Sequence, residues 1–147
     1  SRNLGEDTMN QHSIDTKYFW DAIEYFSFDY EFYTMTGVSV DKLGHVKKAF
    51  TKSTIRGSLQ SAGGFKKAKD KSGSTVSASF NFYCKSIYRV NVDDFIKTAD
   101  GQWLICTGVE EPYDEYGVRA CSFEMTDLYN HKDLQDYLAY LSGKKTL

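Results

Sequence analysis

The chain has 147 residues, 41% of them hydrophobic and 26% charged, with a net charge of −2. That length suits one domain with a real core. No apolar run reaches the roughly 18 residues of a membrane helix, and the opening Ser-Arg-Asn-Leu-Gly-Glu-Asp lacks the apolar stretch of a secretion signal. Three widely spaced cysteines, Cys84, Cys106 and Cys121, fit neither a disulfide framework nor paired zinc ligands; buried, reduced thiols are expected. An aromatic content of 16% with a single proline, Pro112, favours sheet over helix.

Residues 1–12 are polar and predicted to be flexible. Tyr18, Phe19, Ala22, Ile23 and Phe26 then recur at helical spacing, predicting a helix over 16–26 capped by Asp15 or Thr16. From Asp29 the period becomes two. Phe28, Tyr30, Phe32 and Thr34 fall on one face, Tyr33 and Met35 on the other. Asp41-Lys42-Leu43-Gly44 supplies a turn, and a second extended segment runs from Val46 to Gln60. Gly63 and Gly64 then open a predicted flexible loop over 61–74, rich in Lys66, Lys67, Lys69 and Lys71.

A long strand is expected from Ser77 to Val90, with Ala78, Phe80, Phe82 and Cys84 on one face. Ala99-Asp100-Gly101 signals a hairpin, and Trp103, Ile105, Thr107 and Val109 alternate on its return strand. Glu110 to Gly117 reads as an acidic loop, and Val118 to Met125 as the last strand. Leu134, Tyr137, Leu138 and Leu141 stand at i, i+3, i+4 and i+7 of a helix over 131–142, stopped by Gly143. That apolar stripe either covers the sheet or serves as a docking handle. The expected fold is mainly β: one domain, 1–147, with a small antiparallel barrel or sandwich of about five or six strands over 29–126, flanked by N- and C-terminal helices.

Charge is strongly blocked along the chain. Residues 1–40 sum to −5; residues 41–71, with nine basic residues against Asp41 and Asp70, sum to +7; the remainder sums to −4. Separate blocks of opposite sign suit self-association or docking on a charged partner. Catalysis has no visible seat. His12, His45 and His131 read as solvated, and the pairs Asp93-Asp94, Glu110-Glu111 and Asp114-Glu115 place adjacent acids on opposite faces. No phosphate-binding loop, nucleophile elbow or zinc-protease motif occurs. No enzyme, cofactor, metal or small-molecule substrate is therefore expected. An OB-like nucleic-acid binder is the alternative, with Phe80-Asn81-Phe82-Tyr83 as a stacking platform and the lysines as a phosphate funnel. The slightly acidic overall charge weighs against it.

An ordered series of short motifs adds a family resemblance. It begins with Tyr33-Thr34-Met35-Thr36-Gly37 and Asp41-Lys42-Leu43-Gly44. Ile55-Arg56-Gly57-Ser58-Leu59-Gln60 has the form I-x-G-x-L/V-Q. Val92-Asp93-Asp94-Phe95-Ile96 parallels a G-D-x-I pattern, with Asp93 in place of the glycine. Asp100-Gly101-Gln102-Trp103-Leu104-Ile105-Cys106-Thr107-Gly108-Val109 parallels G-x-x-Y/W-x-V-x-G-V, and Tyr116-Gly117-Val118-Arg119 leads into the final strand. Over residues 30–127 this series resembles the head–tail connector proteins of tailed bacteriophages, the head-closure or stopper family and related joining proteins. Ser61 stands where the family pattern has proline, and both terminal helices fall outside the likeness.

The resemblance implies a non-enzymatic virion protein, assembled in the host cytoplasm as a homo-oligomeric ring of about six or twelve copies. Its partners would be the portal or adaptor proteins and the tail, with possible non-specific contact with packaged DNA and no membrane. In that setting the 61–74 arm would lie on a neighbouring subunit or face the DNA channel.

Overall fold

A computed structural model describes residues 21–70, 73–110 and 117–144, with the side chains of 63–70 and 73–77 outside that description. A helical turn, α1 (21–25), leads into β1 (Ser27–Val40), β2 (Val46–Asp70), β3 (Gly73–Lys85), β4 (Phe95–Lys97), β5 (Trp103–Val109) and β6 (Val118–Thr126). A short 3-10 turn (Leu128–Asn130) and α2 (Lys132–Leu141) follow. The six strands form one antiparallel sheet that closes on itself in the order β1-β2-β3-β6-β5-β4. The mainly β expectation holds.

Both faces of this sheet are covered along part of its circumference, so neighbouring residues on a strand enter different cores. Inside the barrel, Phe32, Ile55, Phe82, Ile96, Leu104 and Phe123 pack with the three cysteines. The Phe82 ring stands edge-on to Phe123 at 5.8 Å and to Tyr30 at 5.9 Å. Outside it, Tyr33, Phe50 and Phe95 receive Leu134 of α2, with Trp103, Ile105, Tyr137 and Leu138 around them. Complete burial of Leu134 stabilises the docked helix by about 2 kcal/mol. Two-sided cover also revises the expected face of β5: Leu104 and Cys106 point into the barrel, whereas Trp103 and Ile105 lie beneath the helix. Phe28, grouped with Phe32 by alternation, sits beyond the barrel's closure and is exposed.

Gly57 lets β2 and β3 approach where the inner core is tightest. A β-carbon there would lie 2.4 Å from Phe82 Cζ and 2.6 Å from the Tyr83 carbonyl oxygen, closer than atoms can pack.

The predicted loop over 61–74 is corrected by the structure. β2 runs on to Asp70, and β3 begins at Gly73 rather than Ser77, the two paired from Phe65↔Ala78 to Asp70↔Gly73. Gly63 and Gly64 mark an irregularity within the ladder. Ser61 pairs with Phe80 and Phe65 with Ala78, so three residues of β2 stand against one of β3. Glycine accommodates such a bulge without ending the strand. β3 ends at Lys85, short of the expected Val90, because the chain turns at residues 86–88. There Arg119 Nε donates to the Tyr88 carbonyl at 2.9 Å and its terminal nitrogen to that of Ser86 at 3.2 Å. The expected helix over 16–26 is described only from residue 21, and is helical to 25. The flexible start at 1–12, Lys71 and most of the 110–117 loop lie outside the described residues.

Candidate functional site

The barrel needs short strands, yet β2 has 25 residues. At 3.3 Å per residue that is roughly 80 Å, against strands of about five to six residues in ordinary sheets. The excess leaves the barrel at both ends as two-stranded ribbons. At one end, β2 from Phe65 to Asp70 pairs only with β3 from Gly73 to Ala78, because the β3–β6 ladder starts at Ser79. At the other, β1 from Gly37 to Val40 pairs only with β2 from Val46 to Ala49, because the β1–β4 ladder stops at Tyr33.

The first ribbon holds the predicted basic residues. Lys66 lies opposite Ser77, Lys67 opposite Val76 and Lys69 opposite Ser74. β3 offers no acid across the ladder from Gly73 to Ala78, so Asp70 is the one carboxylate in this paired segment. The barrel itself balances charge differently: Lys52 Nζ lies 2.8 Å from Glu31 Oε1, with Lys97 Nζ at 4.0 Å from the other oxygen. That contact holds the Glu31 carboxyl below its ordinary range, through the Lys52 hydrogen bond above all.

Along the second ribbon and into the barrel wall, the free edge of β2 is capped at two points. The Lys48 N–H donates to Asp133 Oδ2 at 3.0 Å, and the Lys52 N–H donates to the Tyr137 hydroxyl at 3.0 Å. Two side chains of α2 thus take two of the backbone donors that a further strand would use. Of the two fates the sequence left open for α2, covering the sheet is the one seen: Leu134 is buried, Tyr137 and Leu138 are partly buried against the sheet, and Leu141 is exposed. On the opposite edge, Asp94 ends the ladder. Its carboxylate accepts the Thr34 hydroxyl at 3.0 Å, the Met35 N–H at 3.3 Å and the Asn91 N–H at 2.8 Å. Burial raises its pKa nonetheless, against the lowering effect of those donors.

Two clefts bear on chemistry. One, of about 450 Å³, lies between α1 and the barrel, bounded by Glu24, Arg56, Cys84 and Tyr88. Its guanidinium is already engaged, with Arg56 Nε donating to Glu24 at 2.9 Å and a terminal nitrogen to Asp29 at 3.4 Å. The other, of about 220 Å³, lies beside His131 and is smaller than the roughly 300 Å³ at which ligand pockets begin. His131 is half-buried rather than solvated: its Nε2 lies 2.8 Å from the Thr126 hydroxyl, and its ring meets Phe95 edge-on at 4.8 Å. Burial and then Lys48 lower its pKa, so the imidazole is neutral at physiological pH. His45 sits on the exposed turn with its Nδ1 3.1 Å from Asp41.

All three thiols are buried and unpaired in disulfides. Burial pushes Cys106 up to about 12, and the neighbouring Cys84 and burial raise the Cys121 thiol as well. Cys84 is lowered, by its neighbour Cys121 above all. Among the described residues no three His, Cys, Asp or Glu side chains converge as metal ligands, and no helix is long and apolar enough to cross a membrane.

No family model matches this chain, and comparison with curated proteins finds no match. The residues that sequence reasoning missed are the edge caps. Tyr137 was legible as part of an apolar stripe, but its hydroxyl's role depends on which strand lies beneath it. Asp133 carried no signal beyond being acidic in a first helical turn.

Proposed function

We propose that the chain is a non-enzymatic structural protein that assembles into a ring at the head–tail junction of a tailed phage virion, joining portal or adaptor proteins to the tail and helping to close the DNA channel. One observation carries this reading: β2 extends beyond the barrel as a basic two-stranded ribbon whose own partner strand supplies no neutralising acid. A lone two-stranded ribbon is marginal in water. It gains stability by lying on a neighbour, where its lysines meet the acidic blocks of another copy or of an adjoining virion protein.

Two features of the connector-like motif series support the same reading. The glycine of I-x-G-x-L/V-Q is Gly57, where a β-carbon meets the Phe82 ring. The position where G-D-x-I has its glycine is Asp93, whose φ is +76°, a conformation glycine adopts most freely. Both residues of the pattern thus have a physical reason to recur.

The test is mass measurement of the full chain, alone and with portal and tail proteins, beside a K66E/K67E/K69E/K71E variant. Wild type is expected as a closed multimer and the variant as a monomer. A wild-type chain that stays monomeric with every partner overturns the reading.

The same basic ribbon favours a second reading, nucleic-acid binding, because a two-stranded ribbon fits the major groove of DNA. That function requires duplex affinity that falls steeply with salt and is lost in the quadruple variant. Absent or salt-insensitive binding removes it.

A further inference from the structure

The two ends of β1 carry exposed apolar patches of opposite charge. At its start, Tyr25 is 81% exposed and Phe26 and Phe28 are each more than half exposed. At its far end, Leu43 is 81% exposed, and Val38, Val40 and Val46 are again more than half exposed. Register explains the second patch. Val40 stands opposite Val46 and Val38 opposite Lys48, and directly opposed residues share one face of an antiparallel pair. One side of the ribbon tip therefore gathers Val38, Val40 and Val46 beside Lys48. α2 caps the free edge of β2 at Lys48 and, further on, at Lys52, and leaves this side uncovered.

The formal charges around each patch differ in sign. Lys42, Lys47 and Lys48 stand against Asp41 at the tip, a sum of +2 with His45 neutral. Asp21, Glu24 and Asp29 surround the aromatic end against Arg56 and Lys85, a sum of −1. Phe28 and Val40 are separated along a single strand by roughly 40 Å. That strand is tied into the barrel at Glu31–Tyr33, so one molecule cannot bring its two patches together.

We infer that the ribbon tip of one copy, Val38 to Val46, docks on the aromatic, acidic end of another copy at Tyr25, Phe26 and Phe28. This rests on the reading of the chain as an assembling component and identifies which surfaces meet. The two surfaces are different, so the contact is head-to-tail. It propagates into a ring where the rotation closes and into a filament where it does not, rather than ending at a two-fold dimer. Apolar burial holds the joint, and the opposite charges orient the encounter.

The experiment uses the full chain with L43C and F28C made separately, both at exposed positions where substitution is tolerated. The native cysteines are buried and do not compete. Under oxidised glutathione, mixing the two variants is expected to give a covalent dimer that neither forms alone, and the double variant a ladder of multimers. K42E/K47E should reduce the yield severalfold, and D21K/D29K in the partner should restore part of it. An L43C chain that crosslinks equally well to itself overturns the head-to-tail geometry. A mixture that assembles by sedimentation without a mixed dimer overturns this docking and leaves the assembly reading standing. A chain that is monomeric and uncrosslinked throughout overturns both.

Discussion

Asp94 accepts a hydrogen bond from the Thr34 hydroxyl at 3.0 Å across 60 positions of sequence, and through it the turn before β4 is fastened to β1. The same carboxylate takes the Met35 and Asn91 N–H groups. Asp94→Ala leaves three donors without their acceptor and is expected to cost about 3 kcal/mol, read by chemical denaturation. Asp94→Asn keeps part of the network and should cost about 1–2 kcal/mol. The pH dependence follows from the raised pKa. A carboxyl raised in the folded state contributes stability that is fully present below its unfolded value and is lost as pH rises through the folded value. The wild-type advantage over Asp94→Asn should therefore be larger near pH about 4 than near pH about 7. A constant gap would mean that Asp94 titrates alike in both states.

Gly57→Ala forces a β-carbon into the Phe82 ring and the Tyr83 carbonyl. Because one of the two obstacles is backbone, repacking cannot relieve it. A loss of about 3 kcal/mol is expected in denaturant unfolding. An effect under about 0.5 kcal/mol would show that β2 and β3 separate more easily than their register implies.

Removing the caps of β2 should separate stability from solubility. Tyr137→Phe keeps the ring beside Tyr33 and Phe50 but deletes the acceptor for the Lys52 N–H, at a cost of about 1 kcal/mol. Combined with Asp133→Ala it bares two donors on one edge. Light scattering on warming should then show aggregation before the unfolding midpoint, as an open strand edge invites pairing. Leu134→Ala, by contrast, should lower stability by about 3 kcal/mol through a cavity beneath α2. If the double variant stays as clear as wild type, the caps do not guard that edge.

The buried thiols give a simple check on barrel closure. Cys84, Cys106 and Cys121 should resist an aromatic disulfide reagent in the native chain, and all three should react once it is unfolded. Rapid labelling of any one under native conditions would show that the inner core opens.

Amide exchange tests the ribbon. In the isolated chain, residues 65–70 and 73–78 should exchange much faster than β5 and β6, since their ladder has one partner only. In the proposed assembly they should slow markedly. Equal protection in the two states would remove the argument that this ribbon needs a neighbour.

Alternation and turn chemistry made most of the barrel legible: the strands around Phe32, Ile55, Phe82 and Phe123, the hairpin at Asp100-Gly101, and the helix carrying Leu134. Three things were not. The inward face of β5 was ambiguous because Trp103 and Ile105 are as apolar as Leu104 and Cys106, and both pairs find cover. The ribbon was hidden by Ser-Ala-Gly-Gly, which reads as a break, whereas the ladder absorbs it as a bulge and resumes at Phe65. The edge caps depend on which strand α2 crosses, a relationship between Tyr137 and Lys52 spanning 85 positions that no local pattern encodes. The same holds for the inferred pairing of the apolar patches, which could be drawn only once Phe28 and Val40 were placed at the two ends of one continuous strand.

A mechanical property follows from the continuity of β2. Both projecting ribbons are built on this one strand, so tension applied at either tip travels along a covalent backbone through the barrel wall. Pulling it free would require shearing its ladders with β1 and β3 together, all their bonds loaded at once, rather than peeling them one at a time. A chain made this way would act as a tie between whatever grips its two ends.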